Sequence, residues 1–201
     1  MKITLATKNR GKAAEIREIL RGVDVELLTL EDFPQIVMPP ERGGTFRENA
    51  VEKARFVAEA TGTAALADDS GLEVDFLGGR PGVFSARYAG AGATDKDNFT
   101  KLLKELEGVP FDKRKARFVC VIALAGPGIK EAAFEGAFEG YVSTRPSGRG
   151  GFGYDPVFFI PERNMTAAEL EPGEKNRISH RARALEKMRA WLRDEEKIKY
   201  G

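Results

Sequence analysis

The segment from Arg117 to Val142 limits what this 201-residue chain can fold into more than any other. Its apolar run, Phe118 to Ala125, stops at Gly126-Pro127-Gly128, and a second strand-like run follows from Ile129 to Val142. Two such runs around a tight turn form a β-hairpin, antiparallel by construction. The chain therefore cannot carry a purely parallel sheet. The apolar run is also far shorter than the roughly 20 residues needed to cross a bilayer.

Around that hairpin, strand and helix patterns alternate. Lys2 to Thr7 and Val25 to Leu30 read as strands, with a helix from Lys12 to Leu20 between them. Thr45 and Glu48 form a capping box that starts a second helix, which runs to Thr61 and ends at Gly62. Ala64 to Asp68 and Leu72 to Phe76 read as two strands separated by a turn at Asp68-Asp69-Ser70-Gly71. A long glycine-bearing loop, Gly78 to Gly92, precedes a helix from Thr94 to Glu107. After the hairpin come the Gly148 to Gly153 segment, a strand over Val157 to Ile160, and a last helix from Ser179 with Ala182, Leu185, Met188 and Leu192 on one stripe. This alternation predicts one α/β domain, residues 1–201, with a mixed β-sheet flanked by helices.

Composition excludes several functional classes. Thirty-two Lys and Arg against 31 Asp and Glu leave a net charge of +1, which gives no bulk attraction to nucleic acid or an anionic membrane. No nucleic-acid or membrane partner is expected. The first residues offer too short an apolar stretch for a secretory signal. The single cysteine, Cys120, forms no internal disulfide, so the expected compartment is a reducing cytoplasm.

Local charge is more informative. The first helix is entered through Thr7-Lys8-Asn9-Arg10-Gly11-Lys12, three cations at the end where the helix macrodipole is already positive. Such a start is favoured once an anion sits there, held by backbone N–H groups, the Thr7 hydroxyl, the Asn9 amide and the Lys12 ammonium. The same inversion recurs where Lys175, Arg177, His180, Arg181 and Arg183 surround the start of the last helix. Two such clusters point to a polyanionic small molecule, and a triphosphate fits.

Carboxylates and rings complete the picture. Successive strand residues face opposite ways, so one of Asp68 and Asp69 faces a given site. Magnesium needs only one or two carboxylates beside water and phosphate, and Asp69 with Glu41 would suffice. Phe152, Gly153, Tyr154 and Asp155 set two rings and an acid on a glycine frame, suited to stacking on a base and accepting from a ring N–H.

Across essentially the whole chain these motifs resemble the inosine triphosphate pyrophosphatases, the Ham1-like family. The resemblance rests on Ala6 to Lys12, Thr45 to Ala50, Ala67 to Leu72, Gly79 to Val83, Ser85 to Gly90, Gly151 to Pro156, and Ser179-His180-Arg181. It implies Mg²⁺-dependent hydrolysis of the non-standard purine nucleotides ITP, dITP and XTP to the monophosphate and pyrophosphate. It also implies a homodimer, and an elongated mixed sheet with two lobes and a cleft between them. Carried over by position, Thr7, Lys8, Asn9, Arg10, Gly11 and Lys12 would hold the phosphates, and Glu41 and Asp69 the metal. Asp69 would also accept the proton, and Ser70 would touch substrate. Phe152, Gly153, Tyr154, Asp155, Lys175, His180 and Arg181 would complete the nucleotide pocket.

On this reading Lys12, Lys175 and Mg²⁺ neutralise the triphosphate while Asp69 orients or deprotonates water. Arg181 would favour a 6-keto oxygen over the adenine amino group. Two other readings stand beside it: a Maf-like pyrophosphatase with different base specificity, and a non-catalytic nucleotide or RNA-binding module.

Overall fold

The computed structural model describes the backbone of residues 1–200 and the side chains of residues 1–194. The elements are β1 (Lys2–Leu5), α1 (Arg10–Ile19), β2 (Glu26–Thr29), α2 (Phe46–Thr61), β3 (Ala64–Val74) and α3 (Asp95–Glu105), then β4 (Lys115–Ala125), β5 (Ala132–Val142), β6 (Phe158–Ile160), β7 (Met165–Thr166), α4 (Pro172–Ile178) and α5 (His180–Tyr200). The strands form one seven-stranded sheet in the order β2-β1-β3-β4-β5-β6-β7. β1 pairs parallel with β2 and β3, whereas β6 pairs antiparallel with β5 and β7. The sheet is thus mixed, as the alternation with one hairpin requires.

Contacts divide the chain into two compact units. The first comprises Met1–Asp69, Cys120–Gly136 and the residues from His180 onward; the second comprises Ser70–Val119 and Ala137–Ser179. In the first, Leu5, Ile16, Leu66, Ile122 and Leu185 are sealed from solvent in one apolar cluster. Gly136 allows α5 to start close to β5: a Cβ on Gly136 would lie 2.2 Å from the His180 carbonyl oxygen. The second unit has its own cluster, including Leu72, Leu102, Phe138, Tyr154 and Phe158.

Helix α2 forms as its sequence dictates. Thr45 Oγ1 accepts from Glu48 N at 3.1 Å while Glu48 Oε2 accepts from Thr45 N at 3.1 Å, and Gly62 closes the helix in the left-handed region at φ 67°. Removing such an N-cap costs about 1 kcal/mol.

One sequence expectation requires correction, and two segments carry elements that the pattern does not show. Asp68-Asp69-Ser70-Gly71 is no turn: β3 runs unbroken from Ala64 to Val74, so both aspartates sit inside a strand rather than at its end. Partners on both faces satisfy their carboxylates, which removes the local drive to turn. The Gly78 to Gly92 loop contains a 3₁₀ segment, Gly82–Arg87. Finally, Lys175 and Arg177 lie on the separate helix α4, whose Pro172 occupies an initial position where no N–H is needed.

Candidate active site

In the first unit, α1 starts with its basic residues in an ordered arrangement. Asn9 is its N-cap, its side-chain oxygen accepting from Lys12 N at 3.0 Å, and Asn9 N donates to Thr7 Oγ1 at 3.1 Å. The first turn contains no acid. Lys8, Asn9 and Arg10 are exposed, Thr7 and Gly11 half-buried. The Lys12 ammonium reaches Asp68 Oδ1 at 2.5 Å.

Asp68 and Asp69 use different partners. Asp68 Oδ2 accepts from Arg181 Nε at 2.7 Å and from the Cys120 thiol at 3.1 Å. Arg181, 1% exposed, also pairs with Glu15. Burial alone would raise the Asp68 carboxyl, but Arg181 and Lys12 hold it well below the usual carboxylate range. Burial, helped by Asp68, pushes the Cys120 thiol well up, so it remains protonated.

Asp69 meets helix α2 instead. Lys53 Nζ donates to Asp69 Oδ1 at 2.7 Å, to Glu41 Oε1 at 2.9 Å and to the Asp68 carbonyl at 2.9 Å. Asn49 Nδ2 donates to Asp69 Oδ2 at 3.2 Å. Burial raises the Asp69 carboxyl, with Glu41 adding to the push and Lys53 and Lys12 opposing it. Lys53 is raised because Asp69 and Glu41 together outweigh the larger, opposing effect of burial.

The second unit holds the ring-bearing segment. Asp155, buried, accepts from Phe152 N at 2.9 Å and is ion-paired with buried Lys175, whose ammonium lies 4.6 Å from the Phe152 ring centroid. Gly151 is required there, since a Cβ would stand 2.0 Å from Asp155 Oδ2. Gly153 N donates to Asp95 at 2.7 Å. Tyr154 differs from Phe152: its ring is 4% exposed within the apolar cluster and its hydroxyl donates to the Ser85 carbonyl at 2.8 Å. Phe152 is thus the half-buried ring of the pair.

The basic cluster expected at the last helix divides by unit. His180 and Arg181 are buried in the first unit, Lys175 is buried in the second, and Arg177 and Arg183 are exposed. Ser70, half-buried, is the first residue of the second unit.

Residues 3–191 of the chain match the Ham1 family. The chain belongs to that family. A dITP/XTP pyrophosphatase of Geobacter sulfurreducens is 53% identical over 184 residues, 92% of each chain, and one of Geobacillus kaustophilus is 53% identical over 186 residues, 92% of this chain and 91% of its own. A HAM1 protein of Coxiella burnetii has a similar structure, with a TM-score of 0.87 and 44% identity over 96% of this chain and 99% of that one.

For this Ham1 chain the sequence reading missed Lys53, Asn49 and Glu15. A signal for the first two exists: Asn49 and Lys53 are four residues apart on a capped helix, and Asn49 is polar on the buried stripe of Phe46, Ala50, Ala54 and Val57. Polar groups four apart share a helix face. Among the described residues, no three His, Cys, Asp or Glu side chains gather into a metal site. The two carboxylates of Glu41 and Asp69 nevertheless suit magnesium, because they already share one cation and are hard oxygen donors of the type Mg²⁺ takes. No described helix is long and apolar enough to span a membrane.

Proposed function

We propose that this Ham1 chain hydrolyses dITP, ITP and XTP to the monophosphate and pyrophosphate. The carrying observation is the concentration in one unit of a cation-rich, acid-free helix start with Asp68, Asp69 and Glu41, beside relatives that act on dITP and XTP. A binding module gives no role to Glu41 and the burial-raised Asp69 beside a phosphate site, where they repel the ligand unless a cation intervenes.

In the proposed mechanism the start of α1 receives phosphate oxygens through its backbone N–H groups and Lys12. Asp68 aims the Lys12 ammonium. Asp69 takes a proton from water, whose oxygen forms the new P–O bond as the α–β anhydride linkage breaks, and pyrophosphate departs with the bonding electron pair. A burial-raised carboxyl is the better proton acceptor. Mg²⁺, held by Glu41 and Asp69, would neutralise phosphate charge. In the second unit Asp155 and Lys175 fix the segment that carries the half-buried Phe152 ring, a group suited to stacking on a base. Arg181 is a donor-only group held by Asp68 and Glu15; facing a 6-keto oxygen, it would meet the adenine amino group donor to donor.

The reading places the enzyme in the cytoplasm as a homodimer. The decisive assay is pyrophosphate release from a panel of triphosphates with and without Mg²⁺. Release from ITP, dITP and XTP, dependent on the metal and far exceeding that from ATP or pyrimidine nucleotides, is expected. A panel led by pyrimidine or methylated nucleotides assigns a different specificity, and no release at all rejects the enzyme.

A further inference from the structure

The Lys53 ammonium sits between Glu41 and Asp69, the two carboxylates that the proposed function gives to Mg²⁺. Its three N–H donors meet three oxygens within 2.9 Å, two from carboxylates and one from the Asp68 backbone carbonyl. The site is covered on its Asp69 side and more open at Glu41: the Lys53, Asp69 and Glu41 side chains are 12%, 8% and 29% exposed. We propose that Lys53 is an internal cation that a divalent metal must displace, so that Lys53 sets the metal affinity of the nucleotide-free protein. This rests on the Glu41–Asp69 metal reading and goes beyond it.

Electrostatics argues for competition over coexistence. An ammonium and a divalent cation on the same two carboxylates would repel at short range in a poorly hydrated site. Magnesium also takes oxygens at about 2.0–2.1 Å, closer than either Lys53 contact, so an ammonium and a metal cannot occupy the space between the two carboxylates together. Exchange further requires that the carboxylates stay in place when the lysine leaves. Asn49 secures this, with Nδ2 donating to Asp69 Oδ2 at 3.2 Å and Oδ1 accepting from Gly43 N at 2.8 Å. One buried side chain thereby ties Asp69 to the segment carrying Glu41 without help from Lys53. The four-carbon stem of lysine lets its head swing away while α2 remains fixed.

The exchange has a functional consequence. A protein whose own cation satisfies the acids binds free metal weakly, and metal arriving with a triphosphate has the better claim on the site.

The test is Mn²⁺ binding to the nucleotide-free protein, followed by calorimetry and by the electron paramagnetic resonance of free Mn²⁺. Lys53→Met is expected to bind Mn²⁺ at least about tenfold more tightly than the unaltered chain, and its melting temperature should rise more on adding the ion. Unchanged or weaker affinity, with Glu41→Gln abolishing binding, overturns the exchange and leaves the metal site standing. Absence of Mn²⁺ binding in every form overturns both. Should Lys53→Met fail to fold, the unaltered chain serves: acetylation of Lys53, followed by peptide mass spectrometry, should increase several-fold with saturating Mn²⁺, and an unchanged level overturns the exchange.

Discussion

Asp68 and Asp69 are adjacent on β3 yet live in opposite electrostatic settings. Asp68 is sealed between Arg181, Lys12 and the Cys120 thiol, and its carboxyl is held well below the usual range. Asp69 faces one ammonium and one amide, and burial raises it. The alternation of a strand therefore turns one repeated residue type into an acid locked between cations on one face and an acid raised by burial on the other. A charge bound by two fixed cations is unavailable as a base. The proposed mechanism therefore draws on the charge that meets one ammonium.

The largest expected effect separates the faces by activity. Asp69→Asn should lower kcat by orders of magnitude while nucleotide binding and the melting temperature change little; near-normal turnover would remove Asp69 from the chemistry. Asp68→Asn should do the reverse in stability, costing about 3–5 kcal/mol because Arg181 is left buried without its full charge partner. Urea titration reads that loss, and an unchanged midpoint would show that Asp68 braces nothing.

A smaller effect lies in pH, where metal-free protein should show opposite signs. Asp68, with its folded pKa depressed, contributes stability that is present above its unfolded value of 3.8 and is lost as pH falls toward the folded value. Asp69, with its folded pKa raised, contributes stability that is present below 3.8 and is lost as pH rises through the folded value. Unfolding midpoints of the two Asn variants, measured against the unaltered chain across acid pH, should diverge in opposite directions. Parallel curves would mean that the two faces are not electrostatically distinct.

The smallest effect concerns Cys120. Its thiol is protonated and buried, so a thiol reagent should react only at the rate of unfolding. Cys120→Ala should cost about 1 kcal/mol for the lost donor and packing. Rapid labelling of the native chain would show that the Asp68 face is open.

How far the sequence revealed this arrangement depended on the range of the interactions. Helix α2 was legible from Thr45, Glu48 and Gly62 because its start and stop are chosen by residues within four positions. The mixed sheet followed from hydrophobic runs and the turn at Gly126. β3 was misread at Asp68-Asp69-Ser70-Gly71 because those residues favour turns locally, while the groups that satisfy them come from Lys12, Lys53, Cys120 and Arg181, far along the chain. Lys53 was invisible for the same reason: on a helix surface it reads as a solvated cation, and only folding brings Glu41 and Asp69 to it. Motif resemblance singles out Lys12, Glu41 and Asp69, whereas Lys53 and Asn49, which contact the two acids, meet Asp69 only through the fold.

Asn9 has one further consequence. Because it caps α1 with its own side chain and donates its N–H to Thr7, the Thr7 to Lys12 segment acquires its shape during folding rather than on meeting a ligand. On the proposed function a nucleotide arriving there would lose little affinity to freezing a loose loop, so the heat capacity change of binding should report contact alone, without a signature of chain ordering.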